Sequence, residues 1–188
     1  PYPICRWAHA PIDAVRELMQ AHDITHGQID QVVIRSFANA IALYPGMPDT
    51  TSKAQYSLPF AVAAMLVHGQ IGLDQISGAG LEDPQIGRLV AATQLEISAE
   101  HEALFPTYRT ADVDLVLQDG TTLKSGLTHA RGGPERPFGE RDITDKFMAF
   151  AVPVAGQERA AAIRDACLGL TDPKARFDTL GRHLVEPL

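Results

Sequence analysis

Cys5, Arg6, Trp7 and His9 place a thiol, a guanidinium, an indole and an imidazole within five residues of one another near the start of the chain. An imidazole, with an ordinary pKa near ~6.5, exchanges protons at neutral pH. A guanidinium fork holds a carboxylate through two parallel hydrogen bonds. Side by side, the two suit proton removal next to a carboxylate. Each also has a structural reading. His9 could be a hydrogen-bonded, inert histidine near a helix start, and Arg6 a surface arginine. Cys5 reads as a small hydrophobe that lines a pocket rather than as a nucleophile, and Trp7 reads as packing.

Three further residues share this chemistry. Tyr44 opens the loop 44–53, and Lys53 ends it. A loop of that length without structure of its own is often functional, although a tyrosine before proline commonly anchors its ring and a loop lysine is commonly solvated. Arg131 precedes Gly132 and Gly133, a sequence that lets backbone approach an anion closely or forms a flexible turn.

The elements that must position these groups follow from periodicity and turn chemistry. Pro1 and Pro3 hold an extended start, and a helix is predicted near Pro11, with Ile12, Val15, Leu18 and Met19 on one face and Gly27 as its stop. Free N–H groups at such a helix start favour anions. His22 and His26 read as a solvated pair rather than metal ligands. Residues 31–37 are β-branched and predict a strand. A helix capped by Ser57 is expected over 59–68, another over 84–92, and a strand over 93–97. Runs 112–117 and 121–128 flank Asp119-Gly120, the strongest short-range hairpin signal. Helices are expected near 140–151, 157–168 and 173–184, with a packing stripe of Ala160, Ile163 and Cys167. The predicted fold is α+β, a small and mostly antiparallel sheet packed with several helices, as a single domain over 1–188.

Composition narrows the function classes. Among 188 residues, 45% are hydrophobic and 21% charged, which is ordinary globular usage. The formal net charge of -7 and the lack of a basic run argue against nucleic acid. No stretch approaches the roughly 20 apolar residues of a membrane span. Cys5 and Cys167 form no C-x-x-C pair and read as reduced thiols of a cytoplasmic protein. No glycine-rich nucleotide motif is present, so no cofactor is expected.

Four stretches carry a resemblance, in order along the chain. Residues 1–14 resemble a Lys-x-Tyr-Pro-x-Cys-x-x-x-His-x-x-Ile-Asp run whose lysine would fall just before Pro1. Residues 54–69 resemble an A-x-[FY]-S-L-P-[FY] helix. Asp119-Gly120 falls where a strand pair is expected. Residues 130–137 resemble A-R-G-D-P-x-x-P, with Gly133 in place of the acid. All four are similar to the C-terminal domain of the MmgE/PrpD family, which includes 2-methylcitrate dehydratases, cis-aconitate decarboxylases and iminodisuccinate epimerase.

The resemblance implies a metal-independent lyase that abstracts a proton alpha to a carboxylate of a small di- or tricarboxylate. Dehydration of the 2-methylcitrate type is the leading reading, with epimerisation, decarboxylation or a non-catalytic lid or dimerisation domain as alternatives. His9 and Tyr44 are the implied catalytic pair, and Cys5, Arg6, Lys53 and Arg131 the substrate-binding residues. The implied partners are a preceding helical domain of a longer chain and a second copy in a homodimer. The 188 residues alone are expected to fold without turning over substrate.

Overall fold

Ile12, Val15 and Leu18 recur at helical spacing and form the buried stripe of α1 (His9–His22). The computed structural model describes residues 1–185. A turn of 3-10 helix, Arg6–Ala8, leads into α1, so the helix begins two residues ahead of the expected Pro11. Pro11 lies in the first turn, where its missing N–H forfeits no bond. The helix also ends early, at His22. Asp23 closes it in the left-handed conformation (φ 51°), which a short polar side chain tolerates. His26 opens a separate short turn, so it does not share a helix with His22.

Strand β1 (Ile29–Ser36) forms where the β-branched run predicts it. The chain then passes through α2 (Ala38–Ile41), α3 (Thr51–Gln55), α4 (Leu58–His68) and α5 (Pro84–Ala91) to β2 (Thr93–Ile97), which lies parallel to β1. After α6 (Ala99–Leu104) come β3 (Thr110–Leu117), antiparallel to β1, and β4 (Thr122–Lys124) across the Asp119-Gly120 turn. Strand β5 (Thr128–His129) pairs with the start of β3. The order is β2-β1-β3-β4, a mixed and mostly antiparallel sheet in an α+β fold, as predicted. The run 121–128 is not one strand. Gly126, at φ 65°, turns the backbone out of the ladder and separates β4 from β5.

Every residue of α4 from Leu58 to Leu66 is buried, as a helix apolar all round requires. It packs between α1 and α5. Ser57 caps it by accepting from the Phe60 amide at 3.3 Å. Its hydroxyl donates to the Gly46 carbonyl at 3.2 Å, which ties down the preceding loop. Val32, Ile34, Val113 and Leu115 join α1 and α4 in this core. Alternate residues put Arg35 on the opposite face, where it pairs with Glu96 (2.8 Å), Asp112 (2.9 Å) and Asp114 (3.1 Å).

Contacts divide the chain into two compact units, Pro1–Arg136 and a second that begins at Pro137. The second contains α7 (Glu140–Ala155), α8 (Gln157–Leu168) and α9 (Phe177–Val185), with α8 packed on both neighbours. Ala160 is fully buried and Ile163 partly, but Cys167 is exposed, so the expected stripe stops a turn short. No helix among the described residues is long and apolar enough to cross a membrane.

This core makes a direct stability prediction. Ile34→Ala empties a fully buried position at the sheet centre and should cost about 2–5 kcal/mol. Ile97→Ala, on the exposed end of β2, should change stability by no more than about 0.5 kcal/mol. Equilibrium urea denaturation of both variants checks the pair.

Candidate active site

Tyr2, Cys5, Trp7 and His9 are held in place by contacts to four separate parts of the first unit. The Cys5 amide donates to the Gln55 carbonyl at 2.8 Å, and the Gln55 side chain donates back to the Pro3 carbonyl. The Tyr2 hydroxyl donates to Asp13 at 2.7 Å, and its ring meets His9 edge-on at 5.2 Å. Trp7 stands edge-on to Phe37 and Phe105, which stack on each other at 4.3 Å.

The hydrogen bonds of His9 define its tautomer. Nε2 lies 3.0 Å from the Ile4 carbonyl oxygen, which can only accept, so Nε2 carries the proton. Nδ1 therefore presents its lone pair, and it accepts from Arg6 Nη1 at 3.3 Å. Burial pushes the imidazole down to about 4, and the Arg6 charge pushes the same way. At neutral pH His9 is thus uncharged, with its basic nitrogen aimed at a guanidinium. In that state it has no proton to give from Nδ1, and Arg6 holds the lone pair that a base would use.

Arg6 also donates to two carbonyls, Arg131 at 2.6 Å and Ala130 at 3.2 Å. These bonds join the start of the chain to the glycine turn after β5. The Arg131 guanidinium points elsewhere. Its Nε donates to Asp13 Oδ1 at 2.8 Å and its Nη2 to the Tyr2 hydroxyl at 2.9 Å, while its amide donates to Asp13 Oδ2. Asp13 is fully buried, and burial together with its charge raises the Tyr2 pKa.

Tyr44 and Lys53 form a second group. Lys53 lies in α3, capped by Thr50, rather than at the end of an irregular loop. Its ammonium pairs with Asp49 at 2.7 Å and stands 5.4 Å from the Tyr44 ring centroid. The Tyr44 amide donates to the Tyr56 carbonyl. Because Gln55 holds Cys5 and Tyr56 holds Tyr44, neighbouring residues tether the two groups. His9 and Arg6 make direct contact; Tyr44 and Lys53 make another.

A cleft of about 320 Å³ opens beside Arg6, walled by Trp7, Tyr108, Arg109 and the Gly132–Gly133 backbone. A Cβ on Gly133 would stand 3.2 Å from Arg6 Nη2 and 3.1 Å from Glu135 Oε2. Glu135, two residues on, thus brings a carboxylate to the edge of position 133. Asp13, Arg109 and Glu135 escaped the sequence reading. Asp13 belongs to the Ile-Asp pair of the opening run, but its partner Arg131 is remote in sequence. Arg109 follows α6, an element with no clear sequence signal.

Residues 2–170 match the MmgE/PrpD C-terminal domain. The chain belongs to the MmgE/PrpD family. Among its relatives, the cis-aconitate decarboxylase of Mus musculus is 26% identical over 104 residues, which are 55% of this chain and 21% of that protein. The cis-aconitate decarboxylase of Homo sapiens is 24% identical over 123 residues, 65% of this chain and 25% of that protein. These matches thus span a quarter or less of either relative. The MmgE/PrpD match embraces the Arg6–His9 pair, Tyr44, Lys53 and the Arg6–Arg109 cleft.

Two measurements probe this cluster. Asp13→Ala leaves the Arg131 cation and the Tyr2 hydroxyl without their buried partner, and should cost about 3–5 kcal/mol in denaturant unfolding. The His9 pKa falls from about 6.5 in the unfolded chain to about 4 when folded. Between these values the unfolded chain binds more protons. The His9 contribution is therefore complete above about pH 6.5 and is lost as pH drops through about 4, on the order of 3 kcal/mol. His9→Gln should flatten that part of a stability profile recorded from pH 7 to 4; an unchanged slope would assign it to other groups.

Proposed function

We propose that this chain is the C-terminal part of a lyase acting on small di- or tricarboxylates, with His9 as the base that removes a proton alpha to a carboxylate. The observation that carries the reading is the hydrogen bond between the neutral His9 imidazole and Arg6 at 3.3 Å. An α-proton beside a carboxylate is weakly acidic, and its removal needs a cation or hydrogen-bond donor where charge develops. A substrate carboxylate that engages Arg6 competes with Nδ1 for its N–H groups. Substrate binding then releases the basic lone pair at the moment a proton is to be taken.

Tyr44 is the candidate acid and Lys53 a second cation for the substrate, with Cys5 as lining. The locked guanidinium of Arg131 supports the site through its backbone, since its carbonyl holds Arg6. In the dehydratase version of 2-methylcitrate type, the acid assists loss of a β-hydroxyl. A helical domain earlier in the parent protein completes the pocket and excludes water, which strengthens the charge interactions inside it. The second reading is decarboxylation, supported by the names of the two relatives. In that case carbon dioxide leaves and a proton is delivered to the same carbon framework. Epimerisation uses the same pair to return the proton on the other face.

The full-length protein should be assayed with 2-methylcitrate, cis-aconitate and iminodisuccinate, in wild-type form and as His9→Gln. The variant should lose about 10²–10⁴-fold in kcat while its thermal unfolding stays cooperative. Wild-type turnover by the variant would remove His9 from the chemistry, and turnover of none of the three substrates would remove the lyase reading.

A further inference from the structure

Among the described residues, Arg109 donates one long hydrogen bond, to the Thr107 carbonyl at 3.4 Å, and its guanidinium stands 5.9 Å from the Phe105 ring centroid. It pairs with no carboxylate among the described residues. Arg6, across the same cleft, spends its N–H groups on carbonyls and on His9 and likewise has no carboxylate partner there. By contrast, Arg35 faces three carboxylates, Arg131 is bound to Asp13, and Arg136 to Glu17, while Arg88 caps the carbonyls of Ile29 and His26.

We propose that the cleft between Arg6 and Arg109 is a carboxylate-binding subsite, with Arg109 the residue that selects a small polycarboxylate over a monocarboxylate. The inference rests on the lyase reading and adds the group that recognises a carboxylate other than the one being activated. Two guanidinium groups that share a cleft and have no ion pair with a carboxylate repel each other, and an anion placed between them relieves that repulsion. Burial lowers the Arg6 pKa most; the Asp13 charge opposes that shift, and the nearby Arg109 charge adds to it. The space is open because position 133 is glycine: a Cβ there would approach Arg6 Nη2 to 3.2 Å. At about 320 Å³ the cleft matches the lower end of small-ligand pockets. Trp7 and Tyr108 give it flat, rigid walls.

Glu135 borders the cleft, and its carboxylate reaches the same point from the other side. It acts as an internal competitor that occupies part of the field of Arg6 until a substrate carboxylate arrives. A second hollow of about 570 Å³ along Leu104, Leu127 and His129 shares Tyr108 and Glu135 but has no arginine in its wall. The anion therefore belongs on the Arg109 side.

The test is isothermal titration of citrate into the full-length protein at low ionic strength, with Arg109→Ala, Arg109→Gln and Glu135→Gln alongside. Arg109→Gln keeps a polar stem over Phe105, so it serves where Arg109→Ala disturbs folding. Either Arg109 variant should weaken citrate roughly tenfold or more and leave acetate unchanged. Glu135→Gln should tighten citrate. Wild-type citrate affinity in both Arg109 variants, weakened citrate binding in Glu135→Gln, or phosphate binding as tight as citrate at matched ionic strength would each overturn the subsite. Turnover of the three candidate substrates, measured in parallel, separates the two claims. Turnover with wild-type KM in both Arg109 variants sinks the subsite and leaves the lyase. Arg109-dependent citrate binding without any turnover leaves the subsite and sinks the lyase.

Discussion

Asp13 is fully withdrawn from solvent, and an ionised carboxylate so placed costs several kcal/mol unless donors replace its water. Three donors do so here: the Tyr2 hydroxyl, the Arg131 amide and the Arg131 guanidinium. They come from the start of the chain and from the turn after β5, 118 residues away from Asp13 in the Arg131 case. Satisfying one buried charge thus forces the two ends of the first unit together on α1. Breaking any one donor leaves the remainder in a medium that penalises unpaired charge. The geometry around His9 inherits its rigidity from this demand.

That rigidity decides what the imidazole can be. Arg131, fixed by Asp13, presents its carbonyl to Arg6, and Arg6 presents an N–H to His9. The Ile4 carbonyl fixes the other nitrogen. A histidine with both nitrogens assigned, buried and beside a cation, stays neutral at physiological pH. The same guanidinium that lowers its pKa is the natural seat for a carboxylate. In the proposed mechanism, base strength and anion binding are coupled through the one hydrogen bond between Arg6 and His9.

Much of this architecture was legible in the sequence because the signals were local. Ser57 capping α4, the Asp119-Gly120 hairpin and the β-branched β1 each depend on a few adjacent residues. The failures were local choices settled by distant contacts. Asp23, rather than Gly27, stops α1 because Ile24 turns into the core there. The six-residue α6 has His101 anchored to Thr110 and Asp112 of β3, a pairing that no periodicity announces. At the site, type and spacing marked Arg6 and His9 as candidates and the loop marked Tyr44 and Lys53, while the family resemblance supplied the roles expected of His9 and Tyr44. Asp13 read as part of a helix start, since nothing near it reveals a partner in the 130–137 turn. Arg131 carried the right charge for an anion, but that charge is spent on Asp13.

The central claim is that His9 is a neutral base whose Nδ1 lone pair faces Arg6. Imidazole ¹⁵N chemical shifts of His9, followed from pH 8 downward, test it most directly. The account predicts the Nε2–H tautomer at neutral pH and a midpoint near 4. An Nδ1–H tautomer, or titration near the ordinary value of about 6.5, would contradict it.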